Sequence, residues 1–71
     1  MSILKNGATL IYEELIPTGE SVVLAVDRDF VTWLKDDKGN CYCGHYFQKH
    51  LIGLEEAVTD FRARARKPVK V

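Results

Sequence analysis

Cys41, Cys43, His45 and His50 lie within ten residues, CYCGHYFQKH, and are all the cysteine and histidine in a chain of 71 residues. These side chains bind zinc, exchange thiols and transfer protons, so their spacing decides which chemistry is open. Structural zinc needs four ligands about 2.0 to 2.3 Å from one point. If the segment is extended, each residue advances about 3.4 Å, and Cys41 and His45 stand about 13 Å apart. One ion does not span that distance. Cys43 with His45, or His45 with His50 after a chain reversal, supplies half a site, and the other ligands would come from carboxylates or a second subunit. A Cys41–Cys43 disulfide is disfavoured because residues i and i+2 of a strand sit about 6.8 Å apart, at the limit of bridge geometry. The redox spacing C-x-x-C is absent from the chain. Cys43 and His45 would point the same way along a strand and form a nucleophile and base, but no orienting third group or oxyanion donors can be named. The plainer reading makes both cysteines small buried strand residues, Cys43 against Trp33.

Charge offers a second chemistry. The ten acids lie in residues 1–61 with five bases, while residues 62–71, RARARKPVKV, hold five bases and no acid. The chain is neutral as a whole but divided into parts of about −5 and +5, a dipole. Arg62, Arg64, Arg66 and Lys67 are candidate contacts for nucleic-acid phosphates. Successive arginines two residues apart on a helix are rotated about 200°, which scatters them, and complementing a helix dipole explains them as well.

The elements that position these residues are legible in outline. Phe30 to Leu34 and Cys41 to Phe47 are rich in β-branched and aromatic residues, and DDKGN between them supplies turn chemistry. The expected hairpin has a type I turn with a glycine bulge at Gly39 and pairs Asp36 with Asn40. Continued regularly, this register opposes Lys35 with Cys41, Leu34 with Tyr42, Trp33 with Cys43, Thr32 with Gly44, Val31 with His45 and Phe30 with Tyr46. One face then carries Val31, Trp33, Cys41, Cys43, His45 and Phe47. The other carries Phe30, Thr32, Leu34, Tyr42, Gly44 and Tyr46. Upstream, SVVLAV (21–26) is a strong strand. Residues 9–16 are expected to form another, closed by Pro17-Thr18-Gly19, although Leu4, Ala8, Ile11 and Leu15 also fit a helical stripe. Leu54, Ala57, Val58, Phe61 and Ala65 define an amphipathic helix from Leu54 to Lys67, with Glu55 and Glu56 near its start and Pro68 stopping it.

The segments FVTWLKDDKGNCYCGHYF and LEEAVTDFRAR resemble a group of small uncharacterised bacterial proteins found in Firmicutes and prophages. The shared pattern is Val31-Thr32-Trp33, Gly39-Asn40, Gly44-His45-Tyr46-Phe47, Ala57, Asp60-Phe61 and Arg64. It covers residues 30–64 and implies no particular activity. In similar chains an aromatic residue occupies the place of Cys43, which implies that a thiol is not required there.

The expected fold is a single α+β domain over residues 1–71, an antiparallel meander of three or four strands with the C-terminal helix packed on the face bearing Trp33, Cys43 and Phe47. With one helix to cover two apolar faces, the N-terminal segment or a second copy must shield the other, and a chain this small buries only about 60% of its unfolded surface. The function expected is a non-enzymatic protein-interaction or regulatory module acting as a homodimer, with an unidentified protein partner as a further option, and without a cofactor. Phe30, Leu34, Tyr42, Gly44 and Tyr46 are its candidate interaction surface, or else a second core face. Nucleic-acid binding through the basic end and a thiol or metal role for Cys43 and His45 are the alternatives. The apolar runs fall short of the roughly 20 residues that cross a bilayer. The opening MSILK lacks the charged and apolar regions of a signal peptide, so a cytoplasmic location is expected.

Overall fold

The computed structural model describes residues 2–66. Four strands, β1 (Thr9–Leu15), β2 (Ser21–Val26), β3 (Phe30–Lys35) and β4 (Cys41–Phe47), form an antiparallel sheet in the order β1-β2-β3-β4, and helix α1 (Leu51–Ala65) follows. The α+β architecture is the one expected. The segment over residues 9–16 is a strand rather than a helix.

Two hairpins close as their sequences require. Asp36 N–H donates to the Asn40 carbonyl at 3.0 Å and Gly39 N–H to the Asp36 carbonyl at 3.1 Å. Gly39 takes a φ of +90°, the conformation a type I turn with a glycine bulge needs and a side chain resists. Ile16 to Glu20 repeats the geometry, with Gly19 at φ +93°. The Asp36 carboxylate also accepts from the backbone N–H groups of Lys38 and Asn40, both at 2.9 Å.

The β3–β4 register departs from the regular one at one point. Lys35 pairs with Cys41 and Leu34 with Tyr42, as expected, but Thr32 then pairs with His45, Val31 with Tyr46 and Phe30 with Phe47. Cys43 and Gly44 together oppose Trp33, a β-bulge, and Cys43 holds a φ of +56° within it. One extra residue exchanges the faces of everything after it. The expected pairs of Trp33 with Cys43, Thr32 with Gly44, Val31 with His45 and Phe30 with Tyr46 are therefore corrected.

The faces follow the corrected register. Helix α1 lies over β2, β3 and β4. It buries Ala57 and Phe61 against Ile16, Val22 and Leu24, with Phe30, Leu34 and Phe47 packed around them. Trp33 faces the other way, in a core of Leu4, Ala8, Val23, Ala25 and Val31 joined by Leu10 and Cys41. The helix thus packs opposite Trp33, not on its face. The N-terminal segment covers the Trp33 face without becoming a helix: Leu4 N–H donates to the Ala8 carbonyl and Leu10 N–H to the Ser2 carbonyl, both at 2.8 Å. These bonds fold residues 2–10 back on themselves and set Leu4 and Ala8 into the core.

Helix α1 starts three residues earlier than its apolar stripe suggested. His50 caps it, Nδ1 accepting from Gly53 N–H at 3.0 Å, while Nε2 meets the Gln48 side-chain oxygen at 2.7 Å. With Nδ1 as acceptor, the proton sits on Nε2, which donates to Gln48. Because the helix begins at Leu51, its first turn contains no acid, and Glu55 and Glu56 lie beyond it. Arg62 and Arg64 are in the last turn, as the dipole favours. The expected helix end at Lys67 lies outside the described residues.

Candidate functional site

A polar cluster joins β3, the β4 bulge and α1 and brings Thr32, His45, Asp60 and Arg64 together. Thr32, fully buried in the middle of β3, is its centre. Its hydroxyl donates to Asp60 Oδ2 at 2.5 Å and accepts from Arg64 Nη1 at 2.9 Å. Arg64 also donates to two backbone carbonyls, from Nη1 to Thr32 at 3.2 Å and from Nη2 to Cys43 at 2.8 Å. His45 Nδ1 lies 3.0 Å from Asp60 Oδ2 and 3.2 Å from Oδ1. An ionised carboxylate only accepts, so His45 carries its proton on Nδ1 and turns Nε2 away from Asp60. Asp60 and Arg64 also form an i, i+4 pair at 4.0 Å, but the shorter bonds of both run to β3 and β4.

The bulge makes this cluster possible. Without it His45 would sit on the Trp33 face; with it, His45 pairs with Thr32 and turns toward the helix. Gly44 is the cost of that geometry. A Cβ there would stand 2.7 Å from Trp33 Nε1 and 2.8 Å from Tyr46 Cε1. The two rings close over the glycine edge to face, centroids 6.2 Å apart. Every part of the pattern G-H-Y-F thus has a separate contact: Gly44 admits Trp33, His45 meets Asp60, Tyr46 packs on Trp33, and Phe47 enters the helix-side core.

An aspartate orienting a histidine is one half of an acid–base apparatus. The other half would be a nucleophile and donors for a developing negative charge. Arg64, the nearest cation, is turned onto the Thr32 and Cys43 carbonyls. Cys41 and Cys43 are both free thiols. Burial raises the pKa of the Cys41 thiol and so disfavours the reactive thiolate. Among the described residues no group of three or more His, Cys, Asp or Glu side chains could hold a metal ion. The arrangement clasps helix to sheet: hydrogen-bonding groups of five residues of β3, β4 and α1 satisfy one another in one cluster, and no buried side-chain polar atom is left without a partner among the described residues.

The expected interaction patch does not stay together. Phe30 and Leu34 pack in the helix-side core, Gly44 lies under Trp33 and Tyr46, and Tyr46 is on the Trp33 face. Tyr42 and Tyr46 are its exposed members. The candidate nucleic-acid contacts also divide. Arg64 is turned inward, Arg62 lines a groove beside β1, Arg66 is exposed, and Lys67 lies outside the described residues.

Strand β1 was expected, but its exposed apolar side chains at the sheet edge were not. Ile11, Tyr12 and Leu15 are exposed, Leu15 at 71%, and Ile3 joins them. The helix lies over the other three strands, so a groove opens between β1 and α1, lined by Ile11, Tyr12, Glu14, Leu24, Val58, Phe61 and Arg62. Tyr12 leans edge-on over Phe61, ring centroids 5.5 Å apart, as its wall. An apolar residue in a strand signals burial, and its place at a sheet edge is set by the topology alone.

Compared with protein-family profiles, curated proteins and solved structures, the chain matches none.

Proposed function

We propose that this protein is a small, non-enzymatic interaction or regulatory module that acts in the cytoplasm as a homodimer. The observation that carries the reading is the strip of exposed apolar side chains along one sheet edge, Ile11, Tyr12 and Leu15 with Ile3 beside them. Exposed apolar side chains on both faces of one edge of a small domain mark a place where another surface docks, and an open edge strand is a ready template for pairing. The polar cluster supports the same reading. Thr32, His45, Asp60 and Arg64 are occupied with one another and with backbone, so the most reactive-looking residues serve the fold.

The nucleic-acid alternative loses weight because Arg64 is engaged at Thr32 and Cys43. The thiol or metal alternative loses weight because no group of three or more His, Cys, Asp or Glu side chains among the described residues could hold a metal ion. Sedimentation equilibrium of the untagged protein tests the proposal. A mass approaching two copies supports it, and one copy at every concentration overturns it.

A further inference from the structure

We infer that Asn6-Gly7, in the folded-back N-terminal segment, is a site of spontaneous deamidation whose isoaspartate product releases that segment from the Trp33 face.

Asparagine followed by glycine is the pair most prone to this reaction, because glycine has no Cβ to obstruct attack by its own amide nitrogen. Asn6-Gly7 is the one such pair in the chain, and the other asparagine, Asn40, precedes Cys41. Both residues of the pair are exposed, and a Cβ on Gly7 would meet nothing within 4 Å, so water reaches the reacting atoms. The Gly7 amide nitrogen gives up its proton and attacks Asn6 Cγ. The Cγ–Nδ2 bond breaks, ammonia leaves, and a five-membered succinimide remains. Water then opens the ring. Addition at Cγ gives aspartate; addition at the main-chain carbonyl carbon gives isoaspartate, whose backbone is longer by one methylene.

The turn holds both reacting groups. Gly7 N–H donates to the Leu4 carbonyl at 2.8 Å, which restrains the attacking nitrogen while that bond stands. Asn6 Oδ1 accepts from Ala8 N–H at 3.0 Å, an Asx turn that fixes the carboxamide. The reaction therefore runs through local opening of this segment, which its surroundings make easy. Its side-chain tether, Lys5 Nζ on the Lys38 carbonyl and Asn40 Oδ1, is exposed and long, at 3.4 and 3.3 Å.

The two products differ at this turn. Aspartate keeps Oδ1 and the backbone length, so the Asx turn re-forms. Isoaspartate puts its extra methylene between Leu4 and Ala8, the two buried residues that flank the turn and bond to each other through Leu4 N–H and the Ala8 carbonyl. The lengthened turn no longer seats both, and Val23, Ala25, Val31 and Trp33 lose their cover. Loss of ammonia makes the change one-way.

Timed incubation of the full chain at mildly alkaline pH, in native buffer and in urea, tests this by peptide mass mapping. Asn6 should convert in both, about tenfold or more slowly in the fold because opening must come first, while Asn40 lags far behind. The isoaspartate form, separated by chromatography, should keep the parent's far-ultraviolet circular dichroism but shift the emission of Trp33, the single tryptophan, to the red. Asn6→Asp should emit as the parent does. Equal rates in buffer and urea, or no conversion in the fold over many times the period that completes it in urea, overturn the inference. An isoaspartate form with the parent's emission, or one that has lost its secondary structure altogether, overturns it too.

Discussion

Cys43 occupies a backbone conformation, φ +56°, that suits glycine far better than any side chain. The bulge needs the conformation and not the thiol. Cys43→Gly should therefore stabilise the fold by about 0.5 to 1 kcal/mol, read as a raised urea midpoint. A lowered midpoint would show that the side chain contributes something the backbone account omits. Gly53 is the reverse case. It is a helix residue, where alanine normally gains about 1 kcal/mol, yet a Cβ there would overlap the Gln48 carbonyl oxygen. Gly53→Ala should lower stability by about 1 to 3 kcal/mol, the usual range for overpacking. Neither position was legible in the sequence, since each depends on a chain segment brought close by the fold. Thr32 left a faint trace, the one hydroxyl within a buried run, FVTWL. Its partners Asp60 and Arg64 stood out only as members of the shared pattern, four residues apart, with nothing to tie them to Thr32.

At the scale of elements, strands and turns were legible because their determinants are local: β-branched runs, Pro17, Gly19 and Gly39. The β4 bulge was not, because a two-residue irregularity has no periodic signal and yet reverses three side chains. That reversal put His45 beside Asp60 and separated Tyr46 from Phe30. The helix start was missed for a related reason, since the cap is a histidine rather than one of the usual serine, threonine, aspartate or asparagine residues. His50→Ala should cost about 1 kcal/mol, and His50→Asn should restore most of it, both measurable by thermal unfolding. Thr32→Val removes the hydroxyl that joins Asp60 to Arg64 while keeping shape. It should cost about 1 to 3 kcal/mol, as expected when buried partners are left unsatisfied.

For the whole molecule, the sequence posed a question of coverage that the structure divides in two. The Trp33 face is closed by Leu4 and Ala8 from a folded-back N-terminal segment, so a second copy is not needed there. Four exposed apolar residues, Ile3, Ile11, Tyr12 and Leu15, lie instead at or beside β1, which the helix does not cover, while Tyr42, Tyr46, Leu51 and Ile52 are exposed on β4 and α1. Acid sensitivity belongs to this scale as well. The hydrogen bond from Lys35 lowers the pKa of Glu13, and the backbone N–H of Asn40 lowers that of Asp36. Both carboxyls are lower folded than unfolded, so their stabilisation is present above the ordinary carboxylate range of about 4 and is lost as pH falls through the lowered folded values. Urea midpoints should fall as the pH drops from about 5 to about 3, and Glu13→Gln should flatten that fall. The most direct measurement of the central claim remains the mass of the parent chain in solution. Sedimentation equilibrium over rising concentration should approach twice the 8.1 kDa of one copy, and a mass that stays at one copy throughout would contradict it.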